Sequence, residues 1–318
     1  MTKPRLLQIG SIAGSPSADS LLKTHYEVIE LWKASDRQAC LAQAADIEMI
    51  VTTAGHGCKR DVIEALPKLK AICSWGVGYD SIDLESASSH GVTLANTPEV
   101  LNDCVADQAW ALLLACARRV AQGDRFVRAN AWQNRQGQIP LGTRVSGKKL
   151  GIVGLGRIGL AIAKRGLGFE MDIQYHNRNP RTDVPYQYAN SLIELARWAD
   201  FLIVATVGGS DTRALISREV LQALGPKGIV INIARGTVID EAAMLDLLEK
   251  GELGGAGLDV FEKEPVVPDA FKHLDQVVLM PHVASATTET RTAMTELLLA
   301  NLDAYFSGMP LLTPVNQS

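Results

Sequence analysis

The sequence predicts an α/β protein built from two doubly wound parallel-sheet (Rossmann-like) domains, the second inserted into the first. Two series of short apolar runs alternate with helical stretches, and the pattern changes between them at Asn96-Thr97-Pro98. A final amphipathic helical stretch lies beyond the last strand of the second series. The length of 318 residues agrees, since single domains typically end near about 200 residues.

In the first series, residues 5–9, 26–31, 47–52, 71–74 and 92–95 read as strands, with helices between them. A parallel connection needs a crossover long enough to hold a helix, so the alternation means βα units and a parallel sheet. Pro98 ends this region because it has no amide to donate to a ladder. From 99 to 129 runs a long segment whose apolar stretch 109–117 reads as a buried helix. The second series has strands at 148–152, 172–175, 201–205, 229–233, 255–258 and 277–280. The last helical stretch, 288–306, is not needed by that sheet, and its apolar face can return to the first domain. The expected division is therefore 1–98 with 288–318 as one domain, and 99–287 as a second domain inserted into it.

Composition narrows the function classes. With 47% hydrophobic and 21% charged residues, the chain has the make-up of a folded, water-soluble protein. Net charge is −4, with Lys and Arg scattered, so neither nucleic acid nor an anionic membrane surface is an expected partner. The five cysteines, Cys40, Cys58, Cys73, Cys104 and Cys116, show no paired or metal-ligand spacing, and buried free thiols are expected. The first ten residues carry no apolar signal segment, and no run of about 18 apolar residues is present. A cytoplasmic protein is the expectation.

The strand opening the second series runs into Gly154-Leu155-Gly156-Arg157-Ile158-Gly159, a G-x-G-x-x-G followed by a helical stretch. Gly154 permits a tight turn, Gly156 lets the backbone approach a pyrophosphate, and Gly159 allows close helix–strand packing. The amides at the helix N-terminus, with the positive end of its dipole, then face the phosphates. At the end of the next strand, where an NAD-selective site places a carboxylate on the ribose 2′-hydroxyl, stand His176, Asn177 and Arg178. Asn177 removes the charge that repels a 2′-phosphate, and Arg178, with Arg181, can pair with it. NADPH is the expected cofactor, with NADH as the secondary one. His176 reads as packing.

Three later strands end in polar residues: Arg235 after 229–233, Asp259 and Glu264 after 255–258, and His282 after 277–280. Ligands in an open parallel sheet gather beyond the carboxyl ends of strands, so Arg, Glu and His can converge there.

Taken together, these segments resemble the D-2-hydroxyacid dehydrogenase family. The resemblance runs from Gly76-Val77-Gly78-Tyr79-Asp80 through Asn96-Thr97-Pro98 and the glycine turn to 234–241 (ARGTVIDE), 259–265 (DVFEKEP) and 281–287 (PHVASAT). It covers nearly the whole chain and is nearest the glyoxylate, hydroxypyruvate and hydroxyphenylpyruvate reductases. It implies that Arg235 holds the substrate carboxylate and carbonyl oxygen, that His282 is the general acid, and that Glu264 orients His282 and favours its protonated form. Backbone amides of Val77 and Gly78 would bind the substrate carboxylate. Asp259 would contact the nicotinamide carboxamide, Val105 and Ala284 would flank the nicotinamide, and Thr206 and Val207 would line the adenine side. Arg157, Ile158, Thr212, Ile233 and Ala234 complete the expected cofactor contacts. Ala284 departs from the glycine found in many relatives, and Trp75 precedes the carboxylate loop.

The resemblance implies a reductase of small 2-keto acids, glyoxylate or hydroxypyruvate first, with arylpyruvate and 2-ketogluconate as alternatives. Trp75 and Trp132 keep the arylpyruvate reading open. A non-enzymatic NAD(H)-sensing corepressor fits the same fold, but such a protein need not keep Arg235, Glu264 and His282 together. Formate dehydrogenases pair their histidine with Gln rather than Glu, and phosphoglycerate dehydrogenases usually carry Asp at the place of Asn177. The stretch 109–117 resembles the two-fold interface of relatives, so a homodimer is expected.

Overall fold

The computed structural model describes residues 3–12 and 14–315. The chain forms two units, Met1–Leu101 with Ala286–Ser318, and Asn102–Ser285. Their boundaries fall two or three residues from 98/99 and 287/288.

The first unit holds a five-stranded sheet of β1 (Arg5–Gln8), β2 (Glu27–Glu30), β3 (Met49–Thr53), β4 (Ala71–Trp75) and β5 (Thr93–Ala95). Its order is β2-β1-β3-β4-β5, and every pairing is parallel. Both central strands β3 and β4 are buried almost throughout, so both faces of the sheet are covered. That is why they appear in sequence as largely apolar runs, Met49–Val51 and Ala71–Cys73, rather than as an alternation. The helix Thr288–Phe306 belongs to this unit and buries Met294, Leu298 and Leu302. Polar contacts fix its position: Trp75 Nε1 donates to Thr295 Oγ1 at 3.3 Å. Beyond the helix, the Val315 amide donates to the Leu94 carbonyl at 2.7 Å.

The second unit holds a seven-stranded sheet of β6 (Lys149–Val153), β7 (Asp172–His176), β8 (Gln187–Tyr188), β9 (Phe201–Val204), β10 (Ile229–Asn232), β11 (Gly255–Leu258) and β12 (Val277–Leu279). Its order is β12-β11-β10-β9-β6-β7-β8, again with every pairing parallel. Strand β8 was not expected; at two residues it carries no readable periodicity. The segment 99–129 also differs from a single helical element. It forms helices Asn102–Ala117 and Val120–Arg128, broken at Arg119, whose φ of +54° is left-handed.

The first of these helices lies close against β11. Cys116 Sγ donates to the Ala256 carbonyl at 3.2 Å, and a Cβ at Gly257 would stand 3.0 Å from Leu112 Cβ. Trp110 stacks on Phe169, and its Nε1 donates to the Ile162 carbonyl at 3.1 Å. The stretch 109–117 therefore buries Ala109, Trp110, Leu112, Leu113 and Cys116 in its own unit. Such burial leaves only the exposed edge of that helix available to a partner.

Cys58, Cys73 and Cys116 are buried, and desolvation pushes each thiol up to about 12. Among the described residues no helix is long and apolar enough to cross a membrane, and no cluster of metal-ligating side chains occurs.

Candidate active site

The glycine turn has three different steric environments. Gly154 has φ +93°, and a Cβ there would lie 2.7 Å from the backbone of Thr206, so the turn presses against the chain leaving β9. A Cβ at Gly159 would come within 2.1 Å of the Gly154 carbonyl oxygen, which jams the helix Arg157–Leu167 onto the turn. Gly156 caps that helix and has nothing within 4 Å of its would-be Cβ. Two glycines thus meet the protein's own backbone, while the third faces open space. The amides of Arg157, Ile158 and Gly159 precede the first bond of the helix, from Leu160 to Gly156. This cradle, open at Gly156 and set at a helix N-terminus, fits a dinucleotide pyrophosphate, which needs close backbone approach at that point.

Asn177 does more than remove a charge. Its Oδ1 accepts from the Leu155 amide at 2.6 Å, so it holds the glycine turn in place, and its carbonyl accepts from Tyr188 Oη at 3.0 Å. Arg181 is engaged locally: it pairs with both oxygens of Asp183 and donates to the Leu155 carbonyl at 2.8 Å. Arg178 is exposed and makes no hydrogen bond or ion pair among the described residues. Of the two arginines, it is the one with a guanidinium open to a phosphate. His176 binds the Ala189 carbonyl through Nδ1 and stacks on Tyr188, a packing role.

After β9, Thr206 is half-buried and Val207 is 71% exposed; Thr212 Oγ1 donates to the Val207 carbonyl at 2.9 Å and closes that loop. Ile233 and Ala234 are buried at the end of β10.

The catalytic candidates sit at the ends of three adjacent strands. Register places Asn232 of β10 beside Leu258 of β11, and Leu258 beside Leu279 of β12, so the segments that follow emerge side by side. Asn232 is buried and turns the chain at Arg235: its Oδ1 accepts from the Ala234 amide at 3.0 Å and its Nδ2 donates to the Arg235 carbonyl at 2.9 Å. No motif marked it, because an Asn closing an apolar strand reads as ordinary punctuation. Beside it, Gly236 has no room for a side chain: a Cβ would stand 1.9 Å from the Phe261 carbonyl carbon.

Asp259, the expected carboxamide contact, stands directly after β11. It is fully buried, and its two oxygens accept from the Val283 and Ala284 amides at 2.9 Å each. Its carbonyl accepts from the His282 amide at 2.8 Å. Burial raises its carboxyl, with the two amides opposing, and the net direction is up. Asp259 therefore clamps the segment 282–284. His282 itself takes a left-handed φ of +54° within that clamp.

His282 Nδ1 and Glu264 Oε2 are 2.7 Å apart, and the other Glu264 oxygen accepts from the Phe261 amide at 3.0 Å. Burial pushes the Glu264 carboxyl up, but the His282 hydrogen bond and charge, the Phe261 amide and the Arg235 charge together hold it below the usual carboxylate range. The side chains of His282 and Glu264 remain 44% and 34% exposed, so the pair is accessible rather than buried in the core. A histidine oriented by a carboxylate beside a guanidinium can exchange a proton and hold a carboxylate.

Val105 is buried on the helix Asn102–Ala117, and its neighbour Cys104 donates through Sγ to the Ala284 carbonyl at 3.1 Å, which brings 105 and 284 together. In the first unit, Asn96 Nδ2 donates to the Val77 carbonyl at 2.9 Å and Thr97 Oγ1 accepts from the Gly76 amide at 2.9 Å, so Asn96-Thr97 straps the 76–78 loop. Trp75 is only 5% exposed and lies under the Arg291 guanidinium, 4.6 Å from the ring centre. Its surface goes to packing. Trp132, by contrast, is 73% exposed.

The profile of the D-isomer specific 2-hydroxyacid dehydrogenase, NAD binding domain, matches residues 110–284. The chain is 46% identical to hydroxyphenylpyruvate reductase of Plectranthus scutellarioides and 44% identical to glyoxylate/hydroxypyruvate reductase of Arabidopsis thaliana; each alignment covers 92% of this chain and 94% of the relative. The crystal structure of an NADPH-dependent glyoxylate/hydroxypyruvate reductase from Sinorhizobium meliloti, in complex with NADP and malonate, superposes with a TM-score of 0.90 at 39% identity, covering 99% of this chain and 97% of that one. With its two parallel sheets and its match to the NAD-binding domain, the chain belongs to the D-isomer specific 2-hydroxyacid dehydrogenase family of NAD(P)-dependent oxidoreductases.

Proposed function

We propose that this protein reduces small 2-keto acids, glyoxylate and hydroxypyruvate first, to D-2-hydroxy acids, and that it prefers NADPH to NADH. The observation that carries the reading is the 2.7 Å contact of His282 Nδ1 with Glu264, held on the Asp259 clamp beside Arg235. Names of the relatives support the substrate class, and the NADP held by the Sinorhizobium meliloti protein supports the cofactor. When bound, the reduced nicotinamide supplies a hydride to the carbonyl carbon. The guanidinium of Arg235 orients the substrate by its carboxylate and carbonyl oxygen. With Nδ1 committed to Glu264, His282 releases its proton from Nε2 to the carbonyl oxygen, which becomes the hydroxyl. Glu264 stays ionised throughout and stabilises the imidazolium before transfer. The exposed guanidinium of Arg178 would pair with the 2′-phosphate, and Gly156 with the backbone of Arg157 and Ile158 would hold the pyrophosphate. The assignment of Val77 and Gly78 to the substrate carboxylate rests on the family resemblance.

Initial rates of NADPH oxidation with glyoxylate, hydroxypyruvate, pyruvate, phenylpyruvate and 2-ketogluconate test the reading. Highest kcat/KM with the first two is expected. Preference for phenylpyruvate would favour the arylpyruvate reading, which the 46% identical relative supports. Binding of NADPH without turnover of any of the five would instead mark a cofactor-sensing protein. A homodimer is also proposed, with the exposed Val120, Val127, Trp132 and Leu141 as the apolar surface it covers. A monomeric mass by sedimentation at micromolar concentration would refute it.

A further inference from the structure

The segment 259–265, which carries Glu264, has few ladder bonds of its own beyond β11, yet it must hold a carboxylate in hydrogen-bond register with His282. Two successive amides of that segment are taken by two different carboxylates. The Phe261 amide donates to Glu264 Oε1 at 3.0 Å, and the Glu262 amide donates to Glu241 Oε2 at 3.0 Å. Glu241 opens the helix Glu241–Glu249 directly after its cap, Asp240. The same short stretch, 235–241, begins with Arg235 and Gly236, and Gly236 touches the Phe261–Glu262 peptide so closely that a Cβ would lie 2.3 Å from the Glu262 nitrogen. On the outer side, Glu262 Oε1 accepts from Arg213 at 2.6 Å.

We infer that Glu241 is a positioning residue of the active site: by accepting the Glu262 amide it locks the Phe261–Glu264 turn to the arginine loop, and so holds Glu264 on His282. Phe261 and Glu262 share one peptide plane. That plane carries the Glu262 N–H, while the Phe261 N–H lies in the preceding plane, hinged to it at the Phe261 Cα; were the Glu262 amide released, the freed plane could swing about that Cα and draw the Phe261 amide that seats Glu264 Oε1 out of line. Arg235 and Glu264 then would no longer move as one body. Glu241 touches neither substrate nor the reacting atoms; it acts through the backbone. The charged groups around the His282–Glu264 pair are Arg235 and Asp259, with Arg213 and Glu262 on the outer side.

This inference rests on His282 as the acid, and the test separates the two. Glu241→Ala, which removes the acceptor, should lower kcat for glyoxylate reduction about tenfold, the cost of a misplacement of less than 1 Å. It should leave KM for NADPH in place and move the alkaline limb of the reduction profile to lower pH, because a displaced Glu264 stabilises the imidazolium less. Glu241→Gln keeps an amide oxygen to accept from Glu262 and should restore most of the rate and the position of the limb. In a Glu264→Gln background, Glu241→Ala should shift the limb no further. Should the alanine variant fail to fold, Glu241→Asp, one methylene short but still charged, should show the same shift in smaller degree. An unmoved limb in Glu241→Ala, or in Glu241→Asp where the alanine variant does not fold, or a Gln variant as impaired as Ala, overturns the role of Glu241. Retention of turnover by His282→Ala overturns instead the acid assignment beneath it.

Discussion

Gly236 offers the sharpest test of how the site is built, because its environment turns a single methyl group into a displacement of known size. A Cβ at that position would stand 1.9 Å from the Phe261 carbonyl carbon and 2.2 Å from its oxygen, against about 3.4 Å for ordinary contact. The obstacle is backbone, so no rotamer change relieves it. In Gly236→Ala the Phe261–Glu262 peptide must therefore withdraw by roughly 1.5 Å, or the Arg235 turn must do so. Overpacking of this kind typically costs about 1–3 kcal/mol of stability. The catalytic loss should be greater in proportion, since a misplacement of about 1 Å at a reacting group can cost 10²-fold. Thermal unfolding and steady-state kinetics with glyoxylate and NADPH measure both effects. The expected result is a lowered Tm, kcat reduced about 100-fold, and a dissociation constant for NADPH near that of the parent, because the glycine turn at 154–159 is untouched. A Gly236→Ala enzyme with parental kcat and Tm would refute the claim that the arginine and glutamate loops are in direct backbone contact.

Other substitutions probe separate parts of the site. His282→Ala should lower kcat by about 100-fold or more, as expected for loss of a positioned acid, measured in single-turnover reduction of glyoxylate. Glu264→Gln should move the alkaline limb of reduction to lower pH; a limb that stays in place would refute the Glu–His pairing. The same variant has a stability signature. Glu264 is held below its ordinary value of 4.5, so its contribution to folding is complete above that value and is lost as pH falls through the lower folded one. Wild type and Glu264→Gln should accordingly differ in Tm at pH 7 and converge in acid. Arg178→Ala should raise KM for NADPH far more than KM for NADH, and equal effects would make Arg178 a surface residue only. Gly156→Ala, which meets no protein atom within 4 Å, should keep the parental Tm yet weaken NADPH binding, whereas Gly159→Ala, 2.1 Å from the Gly154 oxygen, should unfold at lower temperature. Parental NADPH affinity in Gly156→Ala would show that the pyrophosphate lies elsewhere.

Much of the fold was legible because parallel strands covered on both faces are apolar along nearly their whole length, and the runs at 201–205, 229–233 and 255–258 are so apart from Asn232. The glycines at 154, 156 and 159 were legible for a related reason: a turn pressed against its neighbour admits no side chain, and that restriction leaves a fixed spacing. Element ends were less readable. The break at Arg119 depends on one left-handed residue with no glycine to announce it, and β8 is too short to have a period.

What the sequence determined by itself was the two-series α/β plan, the glycine turn, the neutral end of β7 and the presence of Arg235, Glu264 and His282 at strand ends. Each is local, written in residues a few places apart. Tertiary structure alone decided which of these residues are open to a ligand and which serve the scaffold. It engages Arg181 with Asp183 while Arg178 stays exposed, assigns Asn177 to the glycine turn, buries Asp259 as the clamp of 282–284, and sets Glu241 against the Glu262 amide. Those pairings join residues up to 25 positions apart. They follow from the register of β10, β11 and β12, which places three loops side by side and makes a buried carboxylate take whichever backbone amides stand opposite it.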